Sequence, residues 1–234
     1  FMNAFTSSDW TAYPFASQNV KDFNNLLEVY LDSVFFARLD PLDFAQEGHR
    51  LEFADADDSA SPLTFKGIVF NEMKGAMSSI NSTLWQTLSK CLYPTNTYHY
   101  NSGGDPAHIP DLSYDQFLDF YRVHYHPSNA IFLTFGDIPA ADHQARFQEL
   151  ALKRFQRLNC HIAVADEQRY SQPQYFSEPY ASDEAEPEDQ KTHIIVAWLL
   201  GDSTDLKATM EARLLASVLL DHSGSPLMQA LEST

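Results

Sequence analysis

A carboxylate set among apolar residues is the most chemically informative feature of this sequence. Over Phe65 to Ser79 (FKGIVFNEMKGAMSS), Phe65, Ile68, Val69, Met73, Ala76 and Met77 follow the three-and-four spacing of a helix with one buried face. Glu72 lies four residues after Ile68, three after Val69 and four before Ala76, in the middle of that stripe. An ionised carboxylate in apolar surroundings must be paired, protonated or bound to a metal. Lys74 does not face it, because residues two apart on a helix point in different directions. A partner from elsewhere in the protein is therefore expected. An arginine, a backbone amide or water would make Glu72 a structural residue, the commoner fate of a partly buried acid. A divalent cation would make it chemistry.

The other candidates are weaker. His124 and His126 have the look of a metal pair, but they sit where a helix gives way to Pro127 and no acid or thiol pattern completes the site. A histidine near a helix C-terminus is explained by the helix dipole alone. His49 and Glu52 are too few for a site and read as a surface turn. Gly103-Gly104 is not a phosphate cradle, since no Gly-Lys-Ser/Thr follows. Cys91 and Cys160 are too few for a disulfide framework and read as reduced, buried thiols.

The elements that would position these groups are legible in outline. Ala4 to Thr6 and Trp10 to Phe15, separated by Ser7-Ser8-Asp9, read as strand, turn, strand. Val20 to Leu39 is predicted as a helix burying Phe23, Leu27, Leu31 and Phe35, with Asn19 and Asp22 as a capping pair. The acidic loop from Asp55 to Pro62 introduces the Glu72 helix. Ile80, Leu84, Trp85, Leu88, Cys91 and Leu92 continue at helical spacing, so a second helix follows almost directly. Ser113 with Gln116 is a capping box opening a helix to about His124. Ala130 to Phe135 reads as a strand, Pro139 to Phe155 as an amphipathic helix, His193 to Leu200 as a buried strand, and Asp205 as the cap of a final long helix.

Composition bounds the class. Hydrophobic residues at 44% and aromatics at 13% of 234 residues exclude a disordered chain and permit a sizeable core. No apolar run approaches the ~20 residues of a membrane span. A net charge of -17 argues against nucleic acid as a partner. It suits cationic partners by long-range attraction, although acidity serves solubility equally well.

Several blocks of the chain, read together, carry a resemblance. They are Phe1-Met2-Asn3-Ala4-Phe5-Thr6, Gln46-Glu47-Gly48-His49-Arg50-Leu51-Glu52, Gly67-Ile68-Val69-Phe70-Asn71-Glu72-Met73-Lys74-Gly75, Ser102-Gly103-Gly104-Asp105-Pro106 and His124-Tyr125-His126-Pro127. In this order they resemble the pitrilysin/insulinase-type zinc metallopeptidases, especially their presequence-protease branch. The resemblance implies that Glu72 is the third zinc ligand. It also implies that Asn3, Ala4 and Phe5 form a sheet edge to which a peptide substrate adds as a strand, and that Gly75 permits close packing one turn after Glu72. The two histidine ligands and the general base of that family lie in an H-x-x-E-H motif, which does not occur here; the resemblance implies it precedes Phe1. No catalytic residue is expected within the chain, which reads as a fragment, inactive alone.

The implied fold is α/β of the α+β kind, with helices packed on one face of a mixed, largely antiparallel sheet. Residues 1–165 would be the C-terminal part of a first peptidase module, 166–190 an acidic linker and 191–234 the start of a second. The implied substrates are short, unstructured, basic peptides, and the implied partners are the remaining modules of the same polypeptide. The compartment would be the cytoplasm of a bacterium, or alternatively the mitochondrial matrix or another organelle interior. A non-catalytic structural homologue of the same fold is the competing reading.

Overall fold

The first long helix sets the core because its apolar residues recur every four positions. In a computed structural model of the chain, α1 spans Val20–Phe35 and buries Leu27, Leu31 and Phe35 along one side. They close on Ala151, which is fully buried, with Phe15, Phe132, Phe147 and Phe155 packed around them. Asn19 caps the helix as expected, its side chain accepting from the amides of Lys21 and Asp22. The helix ends four residues earlier than the spacing suggests. The chain leaves it at Phe36 and passes through the left-handed region at Leu39 (φ 48°) before Asp40 caps the short helix α2, Pro41–Asp43. The freed end of α1 is met by Tyr121, whose hydroxyl donates to the Val34 carbonyl and accepts from the Ala37 amide.

The structure describes residues 1–159, 162–181, 189 and 191–233. Cys160 and most of the acidic run after Ser182 lie outside the described residues. The chain divides into two units, Phe1–His193 and Ile194–Thr234.

In the first unit, β1 (Phe5–Thr6) pairs antiparallel with β2 (Thr11–Ala12), and β3 (Arg50–Phe53) with β4 (Leu63–Lys66). The helices are α3 (Ile68–Ala76), α4 (Ile80–Leu92), α5 (Tyr114–His124) and α6 (Ala140–Leu150). The class is α+β, with the sheet content held in short antiparallel pairs. The capping box of α5 is present in both directions between Ser113 and Gln116. In the second unit, α7 (Leu206–Leu220) is capped by the Asp205 side chain, which accepts from the Ala208 amide. It is followed by α8 (Pro226–Glu232), which opens on a proline suited to a first turn.

Three expectations are corrected. Phe65 belongs to β4 and not to the helix: the acidic loop turns a hairpin, and the helix starts only after Gly67. Ala130 to Phe135 joins no ladder among the described residues. Its side chains do alternate as a strand's would: Phe132 packs against the core, while Ile131, Leu133 and Phe135 are 96%, 87% and 101% exposed. The segment from His193 to Leu200 likewise pairs with nothing described and is not buried. A strand needs a neighbour to satisfy its backbone, and alternation in one segment does not provide one.

Two close approaches fix α3. A Cβ at Gly67 would lie 2.0 Å from the carbonyl oxygen of Gly48, the last residue of a π-helical turn at Phe44–Gly48. Gly67 is extended (φ 167°), so space and not backbone conformation demands glycine there. A Cβ at Gly103 would meet the Met73 sulfur at 2.3 Å. The β1–β2 turn is fixed from the other side, where the Tyr98 hydroxyl donates to Asp9 Oδ2 at 2.6 Å and Thr97 Oγ1 to the Ser8 carbonyl at 2.9 Å. That carboxylate holds the Tyr98 phenol up at about 12, because ionising it would set two negative charges side by side.

Three consequences can be measured. Leu31→Ala should lower unfolding free energy by about 2–5 kcal/mol, whereas Val20→Ala on the exposed start of α1 should change it by less than about 0.5 kcal/mol. Gly67→Ala should destabilise the chain and loosen α3 selectively, seen as faster amide exchange over Ile68–Ala76 than over α1. For Tyr98, a phenol raised in the folded state contributes stability that is intact below the ordinary tyrosine value of 10.0 and lost as pH climbs to about 12. The stability gap between the wild type and Tyr98→Phe should therefore be constant below pH 10 and close between there and about 12.

Candidate functional site

Helix α3 turns two unlike faces. Phe70 and Met73 are buried, and Met77 is half-buried behind them. Ile68, Val69, Glu72 and Ala76 form the other face, all exposed, with Ile68 at 52% and Val69 at 37%. Of the predicted stripe, only Met73 and Met77 turn inward, and the part around Glu72 is left outside. Glu72 is solvated and not enclosed, contrary to the sequence reading. Its carboxylate has no hydrogen bond or ion pair among the described residues. Gly75 also faces open space, with nothing within 4 Å of an added Cβ. Glu72 thus stands free beside Ile68, Val69 and Ala76 on the outer face of α3.

The hairpin bearing Asn3, Ala4 and Phe5 is also exposed. The Asn3 amide donates to the Pro14 carbonyl at 3.1 Å, but Pro14 has no N–H to return. The Asn3 carbonyl is met instead by the Tyr30 hydroxyl from α1 at 3.2 Å, which ties the strand to the core. With Asn3 and Phe5 in register against β2, ladder alternation turns the backbone of Met2, Ala4 and Thr6 outward. On that outer edge, Asn3 Oδ1 accepts from the Ala4 amide at 2.8 Å and Ser102 Oγ donates to the Thr6 carbonyl at 3.5 Å. The Ala4 carbonyl has no partner among the described residues.

The remaining candidates are structural. His126 Nδ1 accepts from the Ser128 amide at 3.1 Å, capping a short 3-10 turn, and His124 Nδ1 lies 3.0 Å from the Phe120 carbonyl oxygen. His49 Nε2 is 2.8 Å from the Leu112 carbonyl oxygen. Glu52, on β3 and not in a surface turn, is held by Lys66 at 3.1 Å and Arg50 at 2.7 Å, and those bonds pull its carboxyl below the usual range. Cys91 is half-buried, and burial pushes its thiol up. Among the described residues no three His, Cys, Asp or Glu side chains converge as a metal site would require. Glu72 is exposed and unengaged, so it could serve as one metal ligand, but the described residues complete no metal centre around it.

One feature escaped the sequence reading. Trp85, one of the residues whose spacing predicts α4, stands 63% exposed on an open surface it shares with Tyr98 and Tyr100. The signal was the run Asn81, Ser82, Trp85 and Ser89, which lies on one helical face and is otherwise polar.

Comparison with known proteins shows the family to which the chain belongs. A family profile described as "Peptidase M16 inactive domain" matches residues 111–234. "Presequence protease, mitochondrial" of Xenopus tropicalis is 46% identical over 99% of this chain and 23% of its own length. The Xenopus laevis protein of the same name is 47% identical over the same shares, and that of Schizosaccharomyces pombe is 37% identical over 99% of the chain and 23% of its own length. The chain thus spans about a quarter of the length of the curated relatives it matches. No helix among the described residues is long and apolar enough to cross a membrane. With a profile match across its C-terminal half and this level of identity along its whole length, the chain belongs to the M16 peptidases, the pitrilysin/insulinase-type family.

Proposed function

We propose that this chain is part of a zinc-dependent endopeptidase that degrades short, unstructured peptides of the targeting-peptide kind. The observation that carries the proposal is the free Glu72 carboxylate at the centre of an exposed apolar face on α3, a helix clamped on its other side. In this reading the rest of the protein covers that face, and Glu72 contributes one zinc ligand beside ligands from outside the chain. Zinc would supply Lewis-acid polarisation of a peptide carbonyl and a more acidic bound water.

The residues of this chain would bind and orient the peptide. An extended segment adds along the outer edge of β1, using the open Ala4 carbonyl. The Ala4 amide becomes available once the Asn3 side chain turns away from it, and Phe5 lines a side-chain pocket. Backbone pairing of this kind tolerates many sequences, which suits degradation of varied peptides. The charge of -17 favours basic ones. Residues 191–234 would begin a second module after an acidic linker at 166–190, a division supported by the unit boundary after His193. Relatives named as mitochondrial favour the mitochondrial matrix over a bacterial cytoplasm.

A non-catalytic homologue is the second reading, favoured by the inactive-domain description of the profile over 111–234. Metal analysis separates the two. In the full-length protein, Glu72→Gln should reduce bound zinc sharply and peptide cleavage by more than about tenfold. Unchanged zinc stoichiometry would refute the ligand assignment, and a wild type that holds no zinc would establish the non-catalytic reading.

A further inference from the structure

We infer that Asn3 guards the outer edge of β1: its side-chain amide holds the place of a peptide carbonyl and must be displaced before a strand adds. The inference rests on the strand-addition reading above and deepens it. The Asn3 amide donates to the Pro14 carbonyl at 3.1 Å and the Ser7 amide to the Trp10 carbonyl at 2.8 Å. With Phe5 opposite Ala12, the backbone groups of Asn3, Phe5 and Ser7 are turned to β2 and those of Ala4 away from it. An arriving strand makes two bonds to such an outward residue. One of its carbonyls accepts from the N–H, and one of its N–H groups donates to the carbonyl. At Ala4 the carbonyl has no partner among the described residues, but the N–H is taken, by Asn3 Oδ1 at 2.8 Å. That oxygen belongs to an amide, the same acceptor that a peptide would bring.

Only the side chain of Asn3 has to move. Its backbone N–H is bound to Pro14 and its carbonyl accepts from the Tyr30 hydroxyl at 3.2 Å, so the main chain keeps its register. Asn3 is exposed, and its side chain makes no other hydrogen bond among the described residues. Turning it away breaks that one bond and returns Oδ1 to water. An exposed bond of this kind has a small net worth, enough to close the Ala4 amide in most molecules and too little to exclude a peptide. The apparent affinity for a peptide falls with the fraction of molecules in which the amide is open. At Thr6, the next outward residue, Ser102 Oγ donates to the carbonyl at 3.5 Å, a longer and weaker cap of the opposite polarity. The edge is thus covered at both positions by side chains that imitate a strand, which deters casual pairing with other chains.

The test is equilibrium binding of an end-blocked, uncharged peptide of about eight residues to the full-length protein, treated with chelator so that nothing is cleaved. Asn3→Ala should tighten binding about three- to tenfold, because the Ala4 amide is then open in every molecule. Asn3→Asp should weaken it below the wild type, since a carboxylate holds an amide more firmly than a neutral oxygen does. The uncharged probe keeps the new charge from acting on the peptide directly. Were Asn3 itself a contact to the peptide, Asn3→Ala would weaken binding; that result, or an unchanged affinity, would overturn the guard. A copy of the peptide N-methylated throughout should bind all three proteins about tenfold more weakly or worse, having lost its backbone donors. Equal binding of the methylated copy would remove the strand-addition reading, and the guard with it.

Discussion

The structure depends on how helix α3 is held from one side only. Gly67 lies against the Gly48 carbonyl with no room for a methyl group, Gly103 lies against the Met73 sulfur, and Phe70 and Met73 fill the space between. These contacts fix the rotation of the helix about its own axis, because turning it would drive Met73 out of its seat or bring Gly67 into collision. The opposite face, with Ile68, Val69, Glu72 and Ala76, is consequently presented outward in one orientation. The carboxylate owes its direction to close packing beneath it and not to any bond of its own.

The edge of β1 is positioned by the same logic. Pro14 cannot complete the ladder with Asn3, and the Tyr30 hydroxyl from α1 takes the orphaned carbonyl. The hairpin is thereby anchored to the helix that carries Leu27, Leu31 and Phe35, while Asp9 and Ser8 at its turn are anchored by Tyr98 and Thr97. One side of the strand is paired and its ends are tied, which leaves the stretch around Ala4 open. Open edges invite pairing with other chains, and the Asn3 side chain partly blunts this one by occupying the Ala4 amide.

Sequence periodicity identified α1, its Asn19 cap, the Ser113/Gln116 box and the β1–β2 hairpin because each of these is decided by local rules. The single apolar stripe it predicts around Glu72 is split in the structure: Met73 and Met77 turn inward with Phe70, while Ile68, Val69 and Ala76 stay outside with Glu72. Ile68 and Val69 sit in the same periodic set as Met73, and periodicity cannot say which part of an apolar stripe a neighbour will cover. The neighbours that decided it, Gly48 and Gly103, come from distant turns and lack side chains, so no pattern points to them. Ala130 to Phe135 failed for a related reason. Its alternation is strand-like and Phe132 does face the core, yet a ladder is a property of two segments.

The chain belongs to the M16 peptidases, and the proposal made for it is that the open face of α3 carries a zinc ligand. The most direct test of that account is anomalous X-ray scattering at the zinc edge from crystals of the full-length protein. The account predicts a zinc peak about 2.0–2.2 Å from a carboxylate oxygen of Glu72, with Ile68 and Val69 covered. A zinc ion bound elsewhere, with Glu72 still facing solvent, would contradict it.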